Sequence, residues 1–296
     1  MEIKKVTVAG SGVLGSQIAF QTAFSGFEVN VFDINDAALD AAAKRIKELV
    51  IRYEDELEAS EAQLTNTLNR LSYFTDLGKA IFDVDLLIEA VPEDPAIKTQ
   101  FYKQLAPIAP AKTIFASNSS TMLPSQFAQA TGRPKQFAAL HFSNEIWDHN
   151  IVEIMGHPHT EPSVIATLQE FAKAIGMVPV LVKNEHPGYF LNSLTVPFYT
   201  AAMSLLVDNI GDVESIDKTW VIGTGAPYGP FARLDVIGLT TAYNILLLEA
   251  RANKDAERLA NYIKENYIEK GKLGVATGEG FYKYPNPAYR QPDFLK

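Results

Sequence analysis

The chain has 296 residues, a formal net charge of -9 and no cysteine. That length exceeds one ordinary core and predicts two domains, and 47% hydrophobic with 21% charged residues is the balance of a folded globular protein. The acidic excess argues against nucleic acid or an anionic membrane surface as partner, and the lack of thiols excludes disulfides, Fe–S clusters, thiolate zinc sites and cysteine nucleophiles.

The opening MEIKKVTVAG enters a strand at once, without the pattern of a basic segment, an apolar stretch and a cleavage site, so a cytosolic location is expected. Lys4 to Ala9 reads as a buried strand, Val13 to Ser25 as an apolar helix and Glu28 to Phe32 as a second strand, which together make a βαβ unit. From Asp36 to about Leu71 the pattern is helical and too long for one crossover, so two helices broken near Ala59 and Ser60 are expected. Alternation resumes with a strand at Asp85 to Ala90, a helix at Pro95 to Ile108 and a strand at Thr113 to Ala116. Strands at Gln136 to Phe142 and Ile151 to Met155 follow, then a helix at Pro162 to Ile175 and a strand at Val178 to Val182. Beyond Pro187 helical patterns dominate from Tyr189 onward. The uncharged run from Gly188 to Val207 is about long enough for a membrane span, but its polar residues and Pro197 favour a buried helix at a domain or subunit interface.

Gly10, Gly12 and Gly15 form G-x-G-x-x-G between a predicted strand and a predicted helix, the context a dinucleotide fingerprint requires. The helix N-terminus favours the pyrophosphate charge. Asp33, ending the second strand, can accept hydrogen bonds from ribose hydroxyls and repel a 2′-phosphate, so NAD is expected rather than NADP. Val13 and Leu14 are counted with these residues as cofactor-binding positions. A glycine turn that binds nothing is the alternative.

His141 and Glu153 lie on neighbouring predicted strands, and the midpoint between the two residues is 147; a connection centred there sets them side by side if the strands pair antiparallel. Imidazole suits proton exchange near neutral pH, and a carboxylate on its other nitrogen fixes the tautomer and stabilises the imidazolium. The same pair can be purely structural, and His149 in the intervening loop is a rival base. His157 and His159 read as a solvated turn, and no carboxylates accompany them, so no metal is inferred. The hydroxyls of ASNSST (Ala116 to Thr121) face a ligand at the sheet's carboxyl edge or cap the next helix. Asn192 is either a satisfied buried amide or a substrate donor.

The runs AGSGVLGSQIA, IEAVPEDPAIK, TIFASNSST, LHF with Asn144 and VEI, HPGYFLNSL, YGPFARLDVIGLTT and TGEGFYKY together resemble the 3-hydroxyacyl-CoA dehydrogenase family across nearly the whole chain. The resemblance implies an α/β fold, with a Rossmann-like doubly wound NAD-binding domain over 1–185 and an all-α domain over 186–296 that carries substrate and homodimer contacts. It implies His141 as acid/base with Glu153 as its partner, and Ser120 and Asn192 as the residues that hold the substrate oxygen. It further implies Glu93 and Lys98 as NAD contacts and Asn144 beside the nicotinamide, with Ser120 also near the cofactor. The expected reaction interconverts a 3-hydroxyacyl and a 3-ketoacyl group, possible carriers being coenzyme A or a free ester.

Two departures stand out. The family's H-F-F-N-P is His141 to Glu145 here, ending in Glu145, and its N-R-L is Asn192-Ser193-Leu194. Where relatives commonly offer lysines to coenzyme A, this chain has Glu54, Asp55, Glu56, Glu58 and Glu61 with no base among them. These features resemble the branch containing the bacterial diketoreductase, an NADH-dependent reductase of β-keto esters. A lysine-base β-hydroxyacid dehydrogenase is disfavoured because PGYFLNSL lacks a lysine, and a non-catalytic NAD-sensing protein is the remaining alternative.

Overall fold

The computed structural model describes residues 2–250 and 253–296, which divide into two compact units between Phe190 and Leu191. The expected boundary lay between 185 and 186, so the HPGYF segment belongs with the first unit.

In the first unit the strands are β1 (Lys5–Ala9), β2 (Glu28–Phe32), β3 (Leu71–Phe74), β4 (Leu86–Glu89), β5 (Ile114–Ser117), β6 (Phe137–Phe142), β7 (Ile151–Met155) and β8 (Val178–Val182). They form one sheet in the order β3-β2-β1-β4-β5-β6-β7-β8. Every pairing is parallel except β6 with β7. The first six positions have the doubly wound order, whose reversal between β1 and β4 opens a crevice at the carboxyl edge.

The helices are α1 (Val13–Phe24), α2 (Asp36–Leu57), α3 (Glu61–Asn69), α4 (Leu77–Ala80), α5 (Pro95–Leu105) and α6 (Pro162–Ala174). They cover both faces, which is why the central strands read as continuous apolar runs. Val6, Val8, Val31 and Ile88 pack on one side with Ile18, Phe20 and Tyr53. Ala9, Leu87 and Phe115 pack on the other with Phe101 and Tyr102. Each of the Val, Leu, Ile and Phe side chains among them stabilises the fold by about 1.5–3 kcal/mol.

The expected helical break occurs where it was placed. Glu58 takes a left-handed conformation at the end of α2, and Ser60 opens α3 with a reciprocal capping box to Gln63. The sequence reading missed β3. It is a four-residue edge strand with only Leu71 buried, so it has almost no apolar alternation to detect. His157 also departs from expectation: its ring is buried and its Nε2 lies 2.8 Å from the Pro134 carbonyl oxygen, a structural contact rather than a solvated turn.

The second unit is helical: α7 (Leu191–Val207), α8 (Val213–Thr224), α9 (Pro230–Ile237), α10 (Leu239–Glu249) and α11 (Lys254–Asn266). Its core is pinned by two buried carboxylates. Asp217 accepts from the amides of Phe231 and Ala232 at the start of α9 and from the Tyr282 hydroxyl. Asp235 accepts from the amides of Phe281 and Tyr282 and from the Tyr284 hydroxyl. These contacts explain the spacing of the GPFARLD and GEGFYKY runs. Of α7 only Ala202 and Met203 are buried within one chain, while Leu194 is 73% exposed. Among the described residues no single helix is long and apolar enough to cross a membrane; α9 and α10 pass only as a pair, bent by 101°.

Candidate active site

The glycine turn sits at the sheet's reversal. Gly10 has φ +96°, and a Cβ there would lie 2.3 Å from the Ala90 carbonyl oxygen, so only glycine fits between β1 and β4. A Cβ on Gly15 would lie 1.9 Å from the Gly10 carbonyl, which is the close helix–strand approach the fingerprint demands. A Cβ on Gly12 would meet nothing within 4 Å, so space is open where a pyrophosphate would come against the backbone. Side chains cap the N-termini of α2 and α5, through Asn35 and Asp94, but no side chain caps α1 and no acid lies in its first turn. The leading amides around Val13 and Leu14 are therefore placed for an anionic group.

Asp33 is held in place from two sides. Its Oδ2 accepts from the Ser11 amide at 2.8 Å and the Ser11 hydroxyl at 2.6 Å, and its Oδ1 accepts from the Ile34 amide at 2.8 Å. A carboxylate has roughly four lone-pair sites, so acceptor capacity is left for ribose hydroxyls. Ser11 was not singled out in the sequence, although it is the second residue of the G-x-G turn.

His141 and Glu153 are directly opposite each other in the antiparallel β6–β7 pair. His141 Nδ1 is 3.0 Å from Glu153 Oε2, and both side chains are buried. The carboxylate accepts, so Nδ1 carries the proton and Nε2 presents a lone pair. Nε2 lies 3.1 Å from the Ser120 hydroxyl oxygen. Glu153 Oε1 accepts from the Phe190 amide at 2.8 Å, so the carboxylate is fixed at both oxygens. The rival base His149 is part exposed and 3.8 Å from both Glu145 and Asp148; it shares none of these contacts.

Ser120 is carried by a turn that Glu93 organises. Glu93 Oε1 accepts from the Ser119 hydroxyl at 2.5 Å, from the Ser120 and Thr121 amides at 3.0 Å each, and from the Thr121 hydroxyl at 2.9 Å. Partial burial raises the Glu93 pKa, but the Ser119 hydrogen bond, the Lys98 charge and the Thr121 contacts outweigh it and hold the carboxyl below its ordinary range.

Lys98 occupies a different place from the one the resemblance implies. It is 1% exposed, and its ammonium reaches Glu89 at 2.6 Å, Glu93 at 3.2 Å and the Val91 carbonyl at 3.2 Å. Three donors meet three acceptors, so Lys98 acts on the Ser120 turn through Glu93. Glu89, fully buried, also accepts from the Tyr102 and Ser117 hydroxyls and the Val91 amide. A carboxylate ending the apolar strand LLIE was the sequence signal for this hub.

Asn144 is exposed on the loop between β6 and β7, which is tied to α2. Arg52 pairs with Glu56 at 2.7 Å and Glu145 at 3.1 Å and lies 4.5 Å over the Trp147 ring, while the Trp147 indole N–H donates to Glu56 at 2.7 Å. Those two donors lower the Glu56 pKa, Trp147 first and Arg52 next. Asn192 lies in the first turn of α7, in the second unit. No group of three His, Cys, Asp or Glu placed to hold a metal occurs among the described residues.

The model of the 3-hydroxyacyl-CoA dehydrogenase NAD-binding domain matches residues 5–185, and that of the same family's C-terminal domain matches 188–284. The chain belongs to the 3-hydroxyacyl-CoA dehydrogenase family. It is an NAD-dependent oxidoreductase of that family, and its first unit is the NAD-binding domain. A probable 3-hydroxybutyryl-CoA dehydrogenase of Bacillus subtilis is 32% identical over 284 residues, covering 96% of this chain and 98% of its own. The human mitochondrial hydroxyacyl-coenzyme A dehydrogenase is 33% identical, covering 95% of this chain and 91% of its own. Among solved structures, a diketoreductase described by its substrate-directed dual catalysis of dicarbonyl compounds superimposes with a TM-score of 0.92 at 54% identity, over 96% of this chain and 100% of that one.

Proposed function

We propose that this member of the family interconverts a 3-hydroxyacyl and a 3-ketoacyl group with His141 as acid/base, Glu153 as its orienting partner, and Ser120 on the substrate oxygen. The observation that carries the reading is an imidazole bracketed by a buried carboxylate at 3.0 Å and a half-buried hydroxyl at 3.1 Å. NAD supplies the two-electron exchange at its nicotinamide. In the oxidising direction His141 Nε2 accepts the proton of the substrate hydroxyl, and Glu153 stabilises the imidazolium that forms. In the reducing direction the same nitrogen returns the proton. Ser120 donates to the substrate oxygen as negative charge develops there. Gly10, Gly12, Val13, Leu14, Gly15 and Asp33 would hold the adenosine diphosphate half of NAD, and Glu93 and Asn144 would face its nicotinamide half.

Cofactor choice follows from Asp33. NADH should exceed NADPH in kcat/KM by roughly fivefold or more, since like charges about 4 Å apart repel by about 1–4 kcal/mol between bulk water and a protein surface. Asp33→Ser should narrow that gap. Equal kcat/KM for the two cofactors in the wild type would remove Asp33 from this role.

A second reading concerns the carrier. Glu54, Asp55, Glu56, Glu58 and Glu61 are exposed around the α2–α3 break, and nearby Arg52 is already paired with two carboxylates. A polyphosphate carrier would be repelled there, which favours free β-keto or diketo esters as substrates; the 54% identity to a diketoreductase supports the same choice. In side-by-side kinetics an ester should be turned over, and acetoacetyl-CoA should show a high KM. A low-micromolar KM for acetoacetyl-CoA with no turnover of an ester would reject this reading.

The proposal extends to a cytosolic homodimer assembled through the second unit, supported by the uncharged α7 and its exposed Leu194. Light scattering at micromolar concentration should give twice the chain mass; a strict monomer would count against it.

A further inference from the structure

Tyr189 makes a contact with the acid/base that the dyad alone does not include. Its ring stacks on His141, with centroids 4.4 Å apart and planes 14° from parallel. Its hydroxyl donates to the Ser119 carbonyl at 2.8 Å, one residue before Ser120. Tyr189 is 1% exposed and has φ +52°, a left-handed conformation uncommon for a bulky residue. The next amide, that of Phe190, donates to Glu153 Oε1. Two consecutive residues therefore reach the imidazole, its carboxylate and the turn that carries Ser120.

We propose that Tyr189 is a positioning residue that sets the His141–Ser120 geometry. The inference rests on the acid/base reading of His141. The Glu153 hydrogen bond restrains the imidazole within its own plane. The stacked ring restrains it out of plane, so the two constraints are complementary. The hydroxyl then ties the Ser119 carbonyl to the same ring, which makes the Nε2–Oγ separation depend on one side chain. Burial, first, and the surrounding carboxylates of Glu93, Glu153, Glu89 and Glu185 raise the Tyr189 pKa, so its hydroxyl remains protonated and donates at every working pH. When His141 becomes cationic, an aromatic face lies against it, an attractive arrangement for a positive charge.

The variants Tyr189→Phe and Tyr189→Leu separate the two parts. Phe keeps the stack and loses the tether to Ser119; a net hydrogen bond of this kind corresponds to about a threefold change. Leu loses both, and misplacement of a reacting group by about 1 Å costs on the order of a hundredfold. With the full-length enzyme, NADH and a β-keto ester, Tyr189→Leu should lower kcat by tens of fold while the KM for NADH stays within about twofold. Tyr189→Phe should recover all but about threefold of kcat. The solvent deuterium isotope effect on kcat should rise in Tyr189→Leu, because proton transfer has become slower. Wild-type kcat in Tyr189→Leu overturns the proposal. Parallel losses of kcat and NADH affinity in both variants overturn it as well. If Tyr189→Leu does not fold, Tyr189→Phe decides: about threefold lower kcat at unchanged NADH KM supports the proposal, and wild-type kcat overturns it. His141→Gln, assayed alongside, keeps the two readings apart. An active His141→Gln removes the acid/base assignment, whereas an inactive one beside a wild-type Tyr189→Leu removes only the role of Tyr189.

Discussion

Replacing His141 by Gln should lower kcat by about a hundred- to ten-thousand-fold, the usual loss when a positioned acid/base is removed. NADH affinity should stay near that of the wild type, because the glycine turn and Asp33 follow β1 and β2, which β4 and β5 separate from the β6 strand that carries His141. Glu153→Gln should also lower kcat. The amide can still face Nδ1 but carries no charge to stabilise the imidazolium, and Phe190 loses a charged acceptor. The double variant should be little worse than either single one, since the two groups act as a unit. His149→Gln is the control and should retain most activity, because His149 touches neither Ser120 nor Glu153. A near-wild-type kcat in His141→Gln with loss in His149→Gln would transfer the acid/base role to His149 and leave the fold and cofactor assignments standing.

What the sequence made legible was what local pattern controls. The strands of β6 and β7 are short apolar runs in which His141 and Glu153 are equidistant from residue 147, and their antiparallel register puts the two side by side as that spacing predicts. The glycine fingerprint was legible because each glycine answers a backbone constraint, at Gly10 and Gly15 with clashes at 2.3 Å and 1.9 Å. What escaped depends on long-range partners. Lys98 sits on a mixed polar helix and looks like a surface cation; the fully buried Glu89, with Glu93 and the Val91 carbonyl, makes its burial tolerable, and those partners lie outside its helix. Tyr189 read as the start of a helix, whereas the helix begins at Leu191 and Tyr189 is a left-handed turn residue shaped by its contacts with His141 and Ser119. The acidic window read as a free run of carboxylates, yet Glu56 is paired through Arg52 and Trp147, the latter ninety-one positions away. Neither composition nor periodicity encodes such pairings.

The Lys98–Glu89 pair supplies the largest expected effect on stability. Both side chains are almost wholly buried, 2.6 Å apart. Removing one partner of such a pair typically destabilises by about 3–5 kcal/mol, because the other charge is left uncompensated. Lys98→Met preserves the length and apolar stem of the side chain, so the loss isolates the ammonium. Its urea midpoint should fall accordingly, with the m-value unchanged. Adding Glu89→Gln to that variant should recover part of the loss, since the stranded charge is removed while Tyr102 and Ser117 can still donate to an amide oxygen in the place of Oε2; the Val91 amide, which donates to Oε1, loses its acceptor, so the recovery is partial. Stability and activity should then separate. The double variant regains stability, but Glu93 still lacks its cation, and the turn carrying Ser120 depends on Glu93 through contacts at Ser119, Ser120 and Thr121. Its kcat should therefore stay below wild type at a temperature where it is fully folded. Full recovery of both stability and kcat would show that Lys98 serves only the core and does not act on the Ser120 turn.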